Sequence, residues 1–266
     1  MSRAAADMSD SDSDVEVIER ALHEAVRNLD VEALRRALAA GANVDALDHE
    51  GTPLHVVCQA IPPVVTMTKP TWMGKVRERE AIVAALLRAG ANVDARYRSD
   101  QLDPEGRPWI DETPLQAAVW DRGFPSSGIV AQLIAAGADI EASDASGFFV
   151  LYTAAQNGRA DTVSRLLAAG ADPHRRLRNL ELTVLEGATL TRNVRAYAPL
   201  LRAGATLPPS RRNAYLNKIA ATPGGYPVYE RAHRTRLAAI FIPKFPGLPV
   251  EVIHHIVSIW ADCGGH

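Results

Sequence analysis

Leu86-Leu87-Arg88-Ala89-Gly90-Ala91-Asn92-Val93-Asp94-Ala95 returns in altered form along most of this 266-residue chain. Leu38-Ala39-Ala40-Gly41-Ala42-Asn43-Val44-Asp45-Ala46 precedes it, and Leu133-Ile134-Ala135-Ala136-Gly137-Ala138-Asp139-Ile140, Leu166-Leu167-Ala168-Ala169-Gly170-Ala171-Asp172 and Leu200-Leu201-Arg202-Ala203-Gly204-Ala205 follow it. Copies at a loose period predict a repeat architecture. In each copy two adjacent apolar residues complete a buried helical stripe. The glycine after them supplies the left-handed backbone conformation that ends the helix.

A helix start follows about twelve residues later, written most plainly as Thr52-Pro53-Leu54-His55 and Thr113-Pro114-Leu115-Gln116. Threonine accepts from free amides of the first turn, and proline at the first helical position loses no hydrogen bond. One unit is therefore turn, helix, tight connection, helix. This wording resembles the ankyrin repeat, whose pattern is T-P-L-H-x-A-A near the first helix and L-L-x-x-G-A at the end of the second. The resemblance implies an all-α solenoid of helix-turn-helix repeats with hairpin loops, and a concave face that binds other proteins.

Five units are expected, at about 15–47, 48–95, 111–142, 143–175 and 176–207. The first replaces the Thr-Pro pair by Arg20-Ala21, as befits a terminal cap. The fourth replaces Thr-Pro-Leu-His by Phe149-Val150-Leu151-Tyr152, and the fifth carries Pro199 in its second helix, which should kink it or delay its start. Three stretches exceed the repeat spacing, at 61–75, 96–110 and 121–128. The first and third sit at the helix-to-helix turn. The second lengthens the hairpin finger that, in ankyrin-like units, projects along the concave face.

Ahead of the units, 1–14 alternates serine with aspartate and has too little apolar content to repay ordering, so it is expected to be disordered. Its serines are candidates for phosphorylation, or the segment is a solubilising tail. Behind the units, 208–242 reads as a helical cap or degenerate repeat. The last segment, 243–266, contains Leu248-Pro249-Val250-Glu251-Val252-Ile253-His254-His255-Ile256, an amphipathic helix resembling the opening of an F-box. That resemblance implies docking to a cullin-type ubiquitin ligase through Leu248, Pro249, Val252, Ile253 and Ile256. A helix folding back as a cap is the alternative.

Composition restricts the remaining choices. The chain is 47% hydrophobic and 6% aromatic, suiting thin helices stacked side by side rather than a core of large rings. Two cysteines, Cys58 and Cys263, make no disulfide framework, no run is long and apolar enough to span a membrane, and no signal pattern opens the chain. A cytoplasmic protein is expected, with the nucleus as the other compartment. Net charge is −2, yet residues 1–172 carry 16 Lys and Arg against 26 Asp and Glu, while 173–266 carry 13 against 5. Such asymmetry points to an acidic partner for the basic part, to contact between copies, or to solvated faces alone. Nucleic acid is the lowest-ranked partner, because no recognition helix or single-strand module accompanies the arginines.

No phosphate loop, dinucleotide fingerprint, H-E-x-x-H or G-x-S-x-G is present, so neither an enzyme nor a cofactor is expected. His254, His255, Cys263 and His266 lack the paired spacing of a metal site, and His55 reads as a hydrogen-bonding member of its turn. A protein-interaction scaffold is the leading reading. Trp72, Tyr97, Arg98, Arg107, Trp109 and Trp120 fall in or beside the inserts and are its candidate contact residues, aromatic and arginine side chains being those that dominate binding energy. The tryptophans either touch the partner or pin the loops. Thr52, Pro53, Leu54, His55, Leu86, Leu87, Gly90, Thr113, Pro114, Leu115, Gly137, Leu166, Leu167 and Gly170 carry the repeat itself.

Overall fold

At Gly90 the backbone turns left-handed (φ 90°), its N–H donates to the Leu87 carbonyl at 3.1 Å, and the next N–H, of Ala91, donates to Leu86 at 3.1 Å. This pair of bonds is the Schellman helix end, and only glycine enters that conformation without a steric cost. Gly41, Gly137, Gly170 and Gly204 close their helices with the same two bonds. The repeated wording is therefore a repeated backbone geometry.

A computed structural model describes residues 4–59, 69–98, 111–120, 127–177, 180–208 and 213–262, and divides the chain into two compact units, Met1–Val150 and Leu151–His266. The described residues are all-α apart from one short hairpin. In the first unit α1 (Ala4–Asn28) pairs with α2 (Val31–Ala39), α3 (Pro53–Cys58) with α4 (Lys69–Arg88), and α5 (Pro114–Trp120) with α6 (Ser127–Ala135). Helices α1, α3 and α5 stack in one row, and α2, α4 and α6 in a second. Leu22, Val26, Leu34, Leu54, Val57, Ile82, Val83, Leu86, Leu115, Val119, Val130 and Leu133 fill the space between them.

The loops that join the pairs are hairpins. Strands β1 (Tyr97–Arg98) and β2 (Asp111–Glu112) pair antiparallel, Tyr97 opposite Glu112 and Arg98 opposite Asp111. Single bridges close the equivalent loops at Asp48 and Gly51, Ser143 and Phe149, and Arg176 and Thr183. At the loop tips the Asp45 carboxylate accepts from Asn92 N–H at 2.9 Å and Asp94 from Asp139 N–H at 2.8 Å, tying each tip to the next.

In the second unit α7 (Val150–Gln156, whose first residue closes the first unit) leads into α8 (Ala160–Ala168), α9 (Val184–Leu190), a 3-10 turn at Val194–Ala196 and α10 (Tyr197–Arg202), which packs on α8 and α9. Pro199 is the third residue of α10, where its missing N–H is no loss, so the helix starts late as expected. Helix α11 (Ala214–Ala220) is capped by Asn213, which accepts from Tyr215 and Leu216 N–H. Helices α12 (Gly225–Phe241) and α13 (Val250–Asp262) pack on each other through Leu237, Ile253 and Val257, with Phe241 and Ile242 alongside.

Three expectations change. The segment expected to be disordered at 1–14 is helical from Ala4, because three alanines and the anchored part of α1 let backbone bonds propagate through it. The 61–75 insert is shorter as a loop than expected: α4 begins at Lys69, with Pro70 at its second position, and 60–68 lie outside the described residues. Finally, in two of the three Leu-Leu pairs only the first residue is buried: Leu86 and Leu166 are buried and Leu87 and Leu167 half-buried, whereas Leu200 and Leu201 are both buried. Among the described residues no helix is long and apolar enough to cross a membrane.

Candidate protein-binding surface

The surface starts from the Thr-Pro-Leu-His turn. Thr52 Oγ1 accepts from His55 N–H, and the His55 ring answers, Nδ1 accepting from the Thr52 N–H and lying 2.8 Å from its hydroxyl. The other ring nitrogen, Nε2–H, donates to the Glu112 carbonyl at 3.1 Å. Burial pushes the His55 pKa down to about 4, so the ring is neutral and holds the next hairpin in place rather than acting as a base. The same position repeats the task elsewhere: His23 Nε2 reaches the Gly51 carbonyl at 3.3 Å and Gln116 Nε2 the Phe148 carbonyl at 3.4 Å.

The hairpin root is bound by charge. Arg96 Nε donates to Asp111 at 2.8 Å and its Nη2 to the Ser143 carbonyl at 2.8 Å, while Arg98 lies 3.3 Å from the same carboxylate. Burial works to raise the Asp111 pKa, but the two arginines outweigh it and hold the group below its usual range. Beside it Glu112 is pushed up to about 7, by burial first and then by the charge of Asp144. No sequence signal marks Arg96, Glu112 or Asp144 as a cluster, because 15 residues separate the first two and 31 the last two.

Of the predicted contact residues, Tyr97 is held rather than presented. Its ring lies 6.0 Å from that of His55, its hydroxyl donates to the His49 carbonyl, and a Cβ at Gly51 would stand 3.0 Å from its Cγ. Arg98 is exposed, and Trp120 is 42% exposed at the end of α5. The Trp72 backbone belongs to α4, and its side chain, like Arg107 and Trp109, lies outside the described residues. The structure adds Leu47, 69% exposed, and the exposed His49 on the first hairpin loop. These two border an open cleft of about 340 Å³ against α1, lined also by Glu16, Glu19, Arg20, His23, Arg27 and Asp48. Arg27 is already engaged there by Asp48 and Glu50.

Behind the surface, Arg79 on α4 is buried and donates to the carbonyls of Val57, Cys58 and Gln59, closing the C-terminal end of α3. An arginine among Lys75, Arg77 and Glu80 reads as solvent-facing, so sequence reasoning passes over it.

The second unit carries two further features. Tyr197, Tyr215, Tyr229 and His233 form a run of ring contacts, with centroids 6.3, 5.5 and 5.7 Å apart. Beside the run, Glu230 binds both Arg202 and Arg234, which outweigh the burial that would raise its pKa. Burial raises the Tyr215 pKa and pushes Tyr226 up to about 12. These arginines thus serve internal pairing. Leu248 and Pro249, just ahead of α13, and Val252 and Ile256 on it are exposed, but Ile253 points inward onto Leu237 and is not available for docking. His254 and His255 are exposed, and Cys263 and His266 lie outside the described residues. Among the described residues no three His, Cys, Asp or Glu side chains come together as a metal ion requires.

The ankyrin repeat family model matches residues 146–177, which overlaps the fourth of the units read from the sequence, at 143–175. No curated protein matches the chain. An ankyrin repeat is therefore present, the all-α fold is of ankyrin type, and protein–protein interaction is the role such repeats serve in general.

Proposed function

We propose that this chain is a non-catalytic scaffold in which five ankyrin repeats, at 15–47, 48–95, 111–142, 143–175 and 176–207, present their hairpin loops to a partner protein in the cytoplasm. The observation that carries the reading is the division of labour within the first unit. The helix pairs spend their apolar side chains on one another, and His23, His55, Gln116, Asp45 and Asp94 fix each loop to the next. A framework held in this way loses little entropy when it binds. What it leaves exposed at the loops is Leu47, His49 and Arg98, with Trp120 at the end of a stacked helix.

The five alike glycine ends support the repeat count. The inserts at 61–75, 96–110 and 121–128, with Trp72, Arg107, Trp109 and Trp120, supply specificity, since excess loop on a rigid scaffold is where recognition concentrates. Site-specific photocrosslinkers test the reading: placed at Leu47, Arg98 and Trp120 they should capture the partner, while those at Arg35 and Arg88 on the second row of helices should not. Capture from the second row alone refutes it.

One observation favours a ligase-recruiting role as the second reading. Helix α13 packs with Ile253 and Val257 and leaves Val252 and Ile256 exposed at a spacing of four, with exposed Leu248 just ahead of the helix, an apolar surface open to a ligase subunit. Deletion of residues 243–266 should then remove cullin-type ligase subunits from the captured material. Undiminished ligase capture would exclude this role.

A further inference from the structure

Helix α1 runs from Ala4. Among its described side chains, Asp14, Val15, Glu16 and Val17 are exposed, and Leu22, His23, Ala25 and Val26 are buried. Between Ala4 and Asp14 the sequence offers one large apolar residue, Met8. A helix segment whose sequence offers so little apolar surface to bury opens at little cost.

Within it Ser9, Ser11 and Ser13 alternate with Asp10, Asp12 and Asp14. Each serine is followed at once by an acid and again three positions on, by Asp12, Asp14 and Glu16 respectively, and no Lys or Arg occurs between Ala4 and Glu19. A kinase whose peptide groove is lined with Lys and Arg selects this arrangement, because its cations pair with acids downstream of the acceptor and repel basic sequences.

We propose that Ser9, Ser11 and Ser13 are acceptors for an acid-directed protein kinase, and that their phosphorylation unwinds α1 ahead of Val15. The serine Oγ attacks the γ-phosphorus of ATP; the new O–P bond forms as the bond to the leaving ADP oxygen breaks, and the hydroxyl proton passes to the kinase's base. Each phosphate adds about −1.5 to −2 of charge. Inside a helix it meets the acid three residues on, where like charges oppose helix formation.

Full-length protein incubated with ATP and an acid-directed casein kinase tests both parts. Intact mass and fragment sequencing should show up to three phosphates, all within Ser9, Ser11 and Ser13, and the S9A/S11A/S13A variant should take none. A wild-type chain that accepts no phosphate, or a triple variant that accepts as much, overturns the sites. Hydrogen exchange should show the amides of 4–14 protected before phosphorylation and unprotected after it, with 18–28 unchanged. Equal protection in both forms, or none in either, overturns the unwinding.

Discussion

Replacing Arg79 by alanine should destabilise the first unit by about 3 to 5 kcal/mol, the lower part of the cost of leaving three carbonyls without their buried donor. The side chain is 1% exposed, and Nε and Nη2 donate over 2.9–3.2 Å to the carbonyls of Val57, Cys58 and Gln59. Those carbonyls end a six-residue helix, which has too few backbone bonds to persist unaided. Loss of the guanidinium strips its charge from the negative end of the α3 dipole and leaves buried acceptors, each worth about 1 to 3 kcal/mol when unsatisfied. Part of that sum is recovered by water entering the space, which keeps the net near the lower bound of the addition. Arg79→Lys keeps the charge but loses the fork, so it should fall between the two. Urea denaturation followed by circular dichroism measures the change, and a melting point lower by roughly 6 to 20 °C should accompany it. An alanine variant within about 1 kcal/mol of wild type would refute the reasoning.

Four further outcomes follow from the packing and the charges. Gly187→Ala places a Cβ 2.4–2.8 Å from the Tyr152 ring and should cost about 1 to 3 kcal/mol in thermal melts, with Tyr152→Ala in the same chain relieving the clash. Arg192, exposed with φ 57° at the end of α9, should be stabilised by about 0.5 to 1 kcal/mol when changed to glycine, as read by the denaturation midpoint. Leu86→Ala should cost about 2 to 5 kcal/mol and Leu87→Ala markedly less, the reverse order contradicting the burial pattern. His55, held neutral down to about 4, contributes stability that is lost as pH falls from its unfolded value of 6.5 toward 4. Glu112, raised from 4.5 to about 7, contributes stability that is lost as pH rises across that window. The two oppose each other between 4.5 and 6.5, so Glu112→Gln should remove the decline toward pH 7 and leave the acid-side loss intact. Stability measured from pH 4 to 8 decides it.

The helix ends were legible because a chain that must turn left-handed uses glycine, and Gly41, Gly90, Gly137, Gly170 and Gly204 all do so. Thr52 and Thr113 were legible for the same kind of reason, since a free first turn needs an oxygen acceptor. What escaped is set by long-range contact. Arg79 has the wording of a surface residue and is interior; Arg96 serves a carbonyl 47 residues away at Ser143; Tyr97 is half-buried and tied to the His49 carbonyl 48 residues back. Composition misjudged Ala4–Asp14, because helix propagation from an anchored segment depends on neighbours rather than on apolar content. On α13 the periodicity identified the amphipathic helix but not which face is covered, and Ile253 proves to be inside.

The central claim is that the exposed loop residues of the first unit grip another protein. Affinity capture by wild type and by a Leu47→Asp, His49→Asp, Arg98→Glu, Trp120→Ala variant, with both melting points recorded, addresses it most directly. The account predicts a partner lost from the variant at an unchanged melting point. The same partner retained in full by an equally stable variant would contradict it.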